Sequence, residues 1–314
     1  MHGKRRSTSL HRTTTTLVVL AALLLISVPE IMGQVSEQQK TGSEPTMQEQ
    51  QMAAPDKTAQ KAEAPPWRGP LFTLMARLTK DANDSGSDTP PNQARFEITD
   101  YYQKKAQSDK PGGQTEQNQQ IARMDFPITS KFTFRTDIPY VWKNGDANGL
   151  GDVFSRLNYH IVDKPDLDVI ALCDFYFPTG AQTVTQGKFQ AGPGFQVNTP
   201  IMALGSVVKF RIQEFFSYAG NSSYASISYT QAQGRFYTRW SDNWWTELRL
   251  YLIVNWVATD TTGRGNTASK VELELGRKLG EHLRAYIRPG AGLWGIGQPN
   301  VYDWALRAGI YYLF

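Results

Sequence analysis

Histidine and cysteine are scarce in this chain, with four histidines and a single cysteine in 314 residues. One cysteine, Cys173, excludes an internal disulfide framework and any CxxC pair for redox or metal chemistry, and it is expected to be an apolar wall residue. No His, Cys and carboxylate cluster has ligand spacing, so neither a metal site nor a cofactor is expected. Long apolar runs are missing too. The one of any length, Leu17 to Val28, falls short of the roughly 20 residues a helical span needs, which excludes a helical-bundle membrane protein. Basic runs are absent from the body of the chain: from Gln93 onward 23 Lys and Arg face 20 Asp and Glu. The pI near 9.0 owes much to Lys4, Arg5, Arg6 and Arg12 at the amino terminus, and a nucleic-acid partner gains no support.

Those four charges precede the apolar run, and Pro29 and Gly33 follow it. Basic, apolar and small segments in that order predict a secretory signal over residues 1–33, although Ile31 is large for its place before the cut, and an uncleaved anchor is the alternative. Residues 34–66 are Gln, Glu, Ala, Lys, Thr and Pro with almost no aromatics, so they cannot bury a core and are expected to form a disordered periplasmic tail. Within 67–92 the apolar patch Trp67 to Leu78 fits a plug, an interfacial helix or an extra strand.

Residues 93–314 have a different texture, segments of about ten residues that alternate apolar and polar positions. Val208, Phe210, Ile212, Phe216 and Tyr218 alternate with Lys209, Arg211 and Gln213, and Glu214 breaks the pattern once. Leu248, Leu250, Leu252 and Val254 lie between Trp244 and Trp256 on one face, with Glu247, Arg249 and Asn255 on the other. Val271, Leu273 and Leu275 oppose Glu272 and Glu274; Leu283, Ala285, Ile287 and Leu293 oppose Arg284 and Arg288. A soluble sandwich shows the same period, so the connections have to decide. Tight turns around 127–130, 163–166, 241–243 and 279–281, with a moderate one at 200–205, alternate with polar loops at 104–119, 143–149, 180–187, 220–223, 260–269 and 295–300. Short turns on one side and longer loops on the other predict an all-β, antiparallel transmembrane β-barrel of about 12 strands, with both chain ends in the periplasm.

The polar parity nominates lumen-facing residues: Arg123, Asp125, Arg135, Asp152, Arg156, Asp168, Asp174, Lys209, Arg211, Glu247, Arg249, Glu272, Glu274, Arg284, Arg288 and Arg307. In the last segment Tyr302, Trp304, Leu306, Ala308, Ile310, Tyr312 and Phe314 form the apolar series. Its end, with Arg307, Gly309, Tyr312 and Phe314, resembles the carboxy-terminal β-signal of outer-membrane proteins. That resemblance implies recognition by the barrel assembly machinery and an outer-membrane location reached through the periplasm, with outer-membrane lipids as surroundings. Asn148-Gly149-Leu150-Gly151-Asp152 and Phe177-Pro178-Thr179-Gly180, with Gly187, Gly192 and Gly194 beyond, resemble the MetA-pathway of phenol degradation family over residues 93–314. Membership implies a transporter-like channel without defined catalytic residues.

The leading expectation is therefore a channel for small solutes, not an enzyme, with mixed lumen charges that either hold a hydrated path or pair off into a closed lumen. An outer-membrane lipid hydrolase is the rival, since small barrels can support a Ser and His pair. Of the two histidines in the barrel region, His160 shares its parity with Asp152, Arg156 and Asn158, whereas His282 falls in a tight turn and is expected at the surface. A structural barrel with a closed lumen is the third reading.

Overall fold

The structure, a computed structural model, describes residues 70–85, 91–106, 114–143, 147–257, 266–295 and 300–314; the expected signal segment and tail lie outside the described residues. One helix, α1 (Pro70–Ser85), precedes the strands β1 (Arg95–Ala106), β2 (Gln114–Pro127), β3 (Phe132–Lys143), β4 (Asn148–Leu150), β5 (Val153–Asp163) and β6 (Asp168–Phe177). There follow β7 (Lys188–Ile201), β8 (Ser206–Gly220), β9 (Ser228–Arg239), β10 (Trp244–Asn255), β11 (Thr267–Lys278), β12 (Leu283–Trp294) and β13 (Trp304–Leu313). Both β4 and β5 pair with β3, so they are two pieces of one strand interrupted at Gly151 and Asp152. Twelve antiparallel strands result, each paired with its neighbours in the sequence, and β13 returns to β1. The sheet is a closed barrel. Its seam runs from Arg95 opposite Leu313 to Lys104 opposite Trp304, and the Phe314 amide donates to the Ala94 carbonyl at 2.9 Å.

Alternation places the two faces in different surroundings. Along β10, Trp245, Glu247, Arg249, Tyr251, Ile253 and Asn255 are buried in the interior, while Leu248, Leu250 and Leu252 stay exposed on the outer wall. A soluble barrel would do the reverse. A polar interior inside an apolar outer band is the distribution that a bilayer requires. Exposed Trp240, Trp244, Tyr312 and Phe314 mark the turn end of this band, and Trp256, Trp294 and Trp304 mark the loop end. Such girdles suit the amphipathic aromatic ring to the headgroup level. Glu214, on the outer parity of β8, is half-buried, and its carboxylate accepts the hydroxyl of Thr230 from β9.

Two expectations from the sequence need correction. The loop read as 104–119 is shorter, because β1 and β2 continue their ladder to the Ala106 and Gln114 pair. Polar side chains such as Lys104 and Glu116 occupy this extension, so period two is lost although the backbone stays paired. Tyr302 belongs to the interior rather than to the outer apolar series: it precedes β13, is buried, and donates its hydroxyl to Glu272 Oε1 at 2.7 Å.

Leu250 offers a direct test of the outer face. Leu250→Arg should lower the unfolding free energy in lipid vesicles by about 2–4 kcal/mol, the cost of a cation near the bilayer midplane. Equal unfolding midpoints and slopes for variant and parent would place Leu250 elsewhere.

Candidate functional site

The site is the barrel interior, closed at the turn end and hollow toward the loop end. Closure begins with α1. Pro70 opens it, a position where the missing N–H costs nothing and the fixed φ suits the helix. Leu74, Met75, Leu78 and Ala82 recur at helical spacing. The helix enters carboxyl end first: Leu74 and Arg77 are exposed, whereas Leu78, Ala82, Asn83, Asp84 and Ser85 are buried. Leu78 and Ala82 pack against Val207, Tyr237, Trp245, Tyr286, Tyr311 and Leu313, contributed by five strands. Burying a leucine side chain is worth about 1.5–3 kcal/mol.

The barrel also satisfies the carbonyls that a helix leaves unpaired at its end. Lys209 Nζ donates to the Ala82 carbonyl at 2.8 Å, and the Tyr311 hydroxyl reaches the Asp84 and Ser85 carbonyls at 3.2 and 2.8 Å. A cation and a hydroxyl facing the negative end of the helix dipole are both favourable. Asp81 anchors the rim through Arg239 and through Lys278, whose Nζ is 3.3 Å away. Thr79 donates to the Pro165 carbonyl at 3.0 Å in the turn between β5 and β6.

Above the helix, charged side chains fill the cross-section. Those of Arg95, Glu97, Lys209, Arg235, Glu247, Arg249 and Glu274 have no exposed surface. Asp125 accepts from Arg95 Nε at 2.9 Å and from Arg135 Nε at 2.7 Å; Arg123 grips Asp137 with Nε and Nη2 at 2.8 and 2.7 Å. Register puts Glu247 directly opposite Glu274, a like-charge pair that destabilises unless bridged. Lys209 Nζ lies 3.3 Å from Glu247, and Glu274 accepts from Arg249, Arg288 and the Trp245 indole at 2.9, 2.8 and 3.1 Å. Removing one member would strand a buried charge, which costs far more than the pair contributes.

Aromatic rings need room in this floor, and glycines on neighbouring strands provide it. A Cβ at Gly276 would lie 2.0 Å from the Trp245 ring, and one at Gly309 would lie 2.6 Å from the Tyr286 ring. With the ring seated against Gly309, the Tyr286 hydroxyl donates to Glu97 Oε1 at 2.6 Å. Gly309, nominated as part of an assembly signal, thus also has a local steric role.

Toward the loop end the interior opens into a chamber of about 540 Å³. Arg123, Arg135, Arg156, Asp174, Arg211, Glu272, Arg288 and Arg307 line it, while Asp125, Lys209, Glu247, Arg249, Glu274 and Arg284 lie outside its lining. Asp152 joins the lining but is committed locally: its carboxylate accepts the Gly180 and Gln186 amides at 3.1 and 2.7 Å and the Thr185 hydroxyl at 2.5 Å. The Asn148–Asp152 and Phe177–Gly180 segments therefore meet as one clasp, with the Ala181 amide on the Leu150 carbonyl at 2.8 Å. It folds the loop after β6 against the mouth, where Val184 is buried.

Several contributors were missing from the residues nominated in the sequence. Arg95, Glu97, Asp137 and Arg235 carry the same polar parity and could have been found by it. The inward rings of Trp245, Tyr286 and Tyr311 could not, because their apolar bulk resembles an outer wall. Cys173 is half-buried and unpaired. His282 is exposed and stacks on Tyr312. His160 is buried, with Nδ1 2.7 Å from Asp168 Oδ1, and Asn198 donates to the other carboxylate oxygen at 2.8 Å. Among the described residues no serine or threonine hydroxyl is hydrogen-bonded to this imidazole.

No family model matches the sequence, and no curated protein matches it either. Among solved structures the chain is similar to an outer membrane channel from Pseudomonas putida F1, at 13% identity over 73% of this chain and 99% of that one, with a TM-score of 0.56. It is also similar to the NanC porin, at 11% identity over 70% of this chain and 100% of that one, with a TM-score of 0.52. The fold is that of the outer-membrane β-barrels.

Asp84 links helix docking to pH. Burial raises its carboxyl above the usual range, against the opposing effects of the Asn92 amide, Lys80, Arg284 and Arg95. A raised carboxyl is bound in its favoured, protonated form at low pH, so docking weakens as pH rises from the unfolded value through the raised one. Asp84→Asn should tighten docking at neutral pH and flatten the pH dependence, read as slower proteolysis within α1. A parent and variant cleaved at the same rate at pH 4 and pH 8 would remove Asp84 from this role.

Proposed function

We propose that this protein is an outer-membrane channel for small solutes, exported through the periplasm, whose passage is shut at the turn end by α1 and the charged layer above it. The chamber carries this reading. A closed barrel that served only as an anchor has no use for a polar-lined hollow of about 540 Å³, within the range of solute-binding cavities. The neighbours named a channel and a porin, and the likeness of the Asn148–Asp152 and Phe177–Gly180 segments to the MetA-pathway of phenol degradation family, point the same way. Transport then requires α1 to leave its seat or the charged layer to rearrange. The full chain refolded into planar bilayers should pass small, intermittent ion currents. Deleting residues 70–85 should raise the conductance and the open fraction several-fold. Silence from both proteins would overturn the channel reading and favour a structural barrel with a closed lumen, which the fully buried charges at the floor would then explain.

The same reading assigns Phe314, with Tyr312, Gly309 and Arg307, to recognition by the barrel assembly machinery. Deleting Phe314 should lower outer-membrane levels in cells and raise periplasmic degradation, while refolding into synthetic bilayers stays intact. A matching defect in synthetic bilayers would leave Phe314 only its girdle contact with Tyr312, 5.1 Å between ring centroids.

A further inference from the structure

The charges of the chamber do not balance. Its lining carries nine basic side chains and four acidic ones. All four carboxylates are already engaged. Asp137 is held by Arg123, and Asp174 by Arg156, whose Nη2 donates at 2.7 Å. Glu272 accepts the Tyr302 and Tyr251 hydroxyls at 2.7 and 3.2 Å, and Asp152 is spent on the loop clasp. Carboxylates outside the lining meet Arg135, through Asp125, and Arg288, through Glu274, and a smaller positive surplus remains.

Its distribution is uneven. Lys105 and Tyr101 share the inward face of β1, Arg307 stands opposite Tyr101 on β13, Arg288 stands opposite Arg307 on β12, and Lys270 follows on β11. Arg307 and Lys105 have no carboxylate within ion-pair distance among the described residues; the Arg307 guanidinium rests on the Tyr101 ring, 4.3 Å from its centroid. Lys105 lies within electrostatic range of Lys143 and Lys270. Lys270 Nζ is 3.9 Å from Glu272 Oε1, which it shares with the Tyr302 hydroxyl, and 4.6 and 5.0 Å from the Tyr251 and Tyr302 ring centroids. Like charges gathered in a low-dielectric wall repel one another, and the same wall focuses their field on whatever enters.

We infer that this wall is a binding site for a small organic anion, in which Lys105, Lys270 and Arg307 face the carboxylate and the Tyr101 and Tyr251 rings face its carbon skeleton. Arg307 supplies a planar fork matched to two carboxylate oxygens, and the lysines add mobile point charges. The inference rests on the channel reading only in calling the occupant a transported solute; the site itself requires no passage.

Glucuronate and glucose are suitable probes, being rings of similar size that differ in a carboxylate. Calorimetry on the detergent-solubilised full chain should detect glucuronate and not glucose, with affinity falling as salt is raised. Lys105→Gln combined with Arg307→Gln should weaken glucuronate binding about tenfold or more, as expected when two charged partners of a carboxylate are lost, and Arg307→Lys should weaken it less, because the charge stays while the planar fork is lost. Equal binding of both sugars, binding of neither, or binding unaltered in the double variant would overturn the site. In planar bilayers under a KCl gradient, a reversal potential favouring chloride supports the site, and one favouring potassium counts against it while leaving the channel standing. Glucuronate binding without current would keep the site and remove the channel.

Discussion

Closure of the β1 and β13 seam is the constraint from which the rest of this structure follows. A strand edge in hydrocarbon would leave each N–H and C=O unpaired at several kcal/mol apiece. The ten opposed positions from Arg95 and Leu313 to Lys104 and Trp304 join the two edges, β1 and β13, that an open sheet would expose. Once the sheet is closed, every strand has one face toward lipid and one toward a narrow interior. A barrel of twelve strands is narrower than one of roughly 16–18, so its inward side chains either fill the space or define a hollow.

This one does both, at different heights. Below, rings seated against glycines and charges matched across strands fill the cross-section, and α1 covers the remaining gap with its apolar side and its carbonyl end. Higher up the inward residues become glutamines, lysines and spaced arginines, and the chamber begins. Lys209 belongs to two systems at once, bonding the helix carbonyl of Ala82 and the carboxylate of Glu247. Any movement of α1 therefore reaches the buried charges directly.

Much of the wall was legible in the sequence because its two sides meet different solvents, and side-chain polarity records that difference at every second residue. The turn and loop rhythm was legible for a similar reason, since tight turns need small or polar residues and leave little room for more. Where both faces are wet, as at Lys104 and Glu116, the record vanishes and the ladder ran further than expected. Tyr302 was misplaced because counting by twos continues through a residue that has not yet entered its strand. The helix could not be decided from Trp67 to Leu78 alone, since its partners are scattered over five strands. For the candidate site, charged lining residues could be nominated by parity, but their pairing could not. Whether Arg123 meets Asp137 or Arg307 meets a tyrosine ring depends on register, and register is set by the closed sheet.

The seat of α1 is built from residues of β8, β9, β10, β12 and β13, and the hydroxyl that caps its last carbonyls belongs to Tyr311, three residues from the end of the chain. That seat does not exist until the final strand is in place. The segment synthesised before all the strands therefore cannot bury Leu78 and Ala82 fully until the carboxy-terminal strand has joined the sheet. The seating of the amino-terminal helix is thus tied to the closure of the barrel, because neither the whole apolar seat nor the Tyr311 cap exists for α1 before β13 pairs.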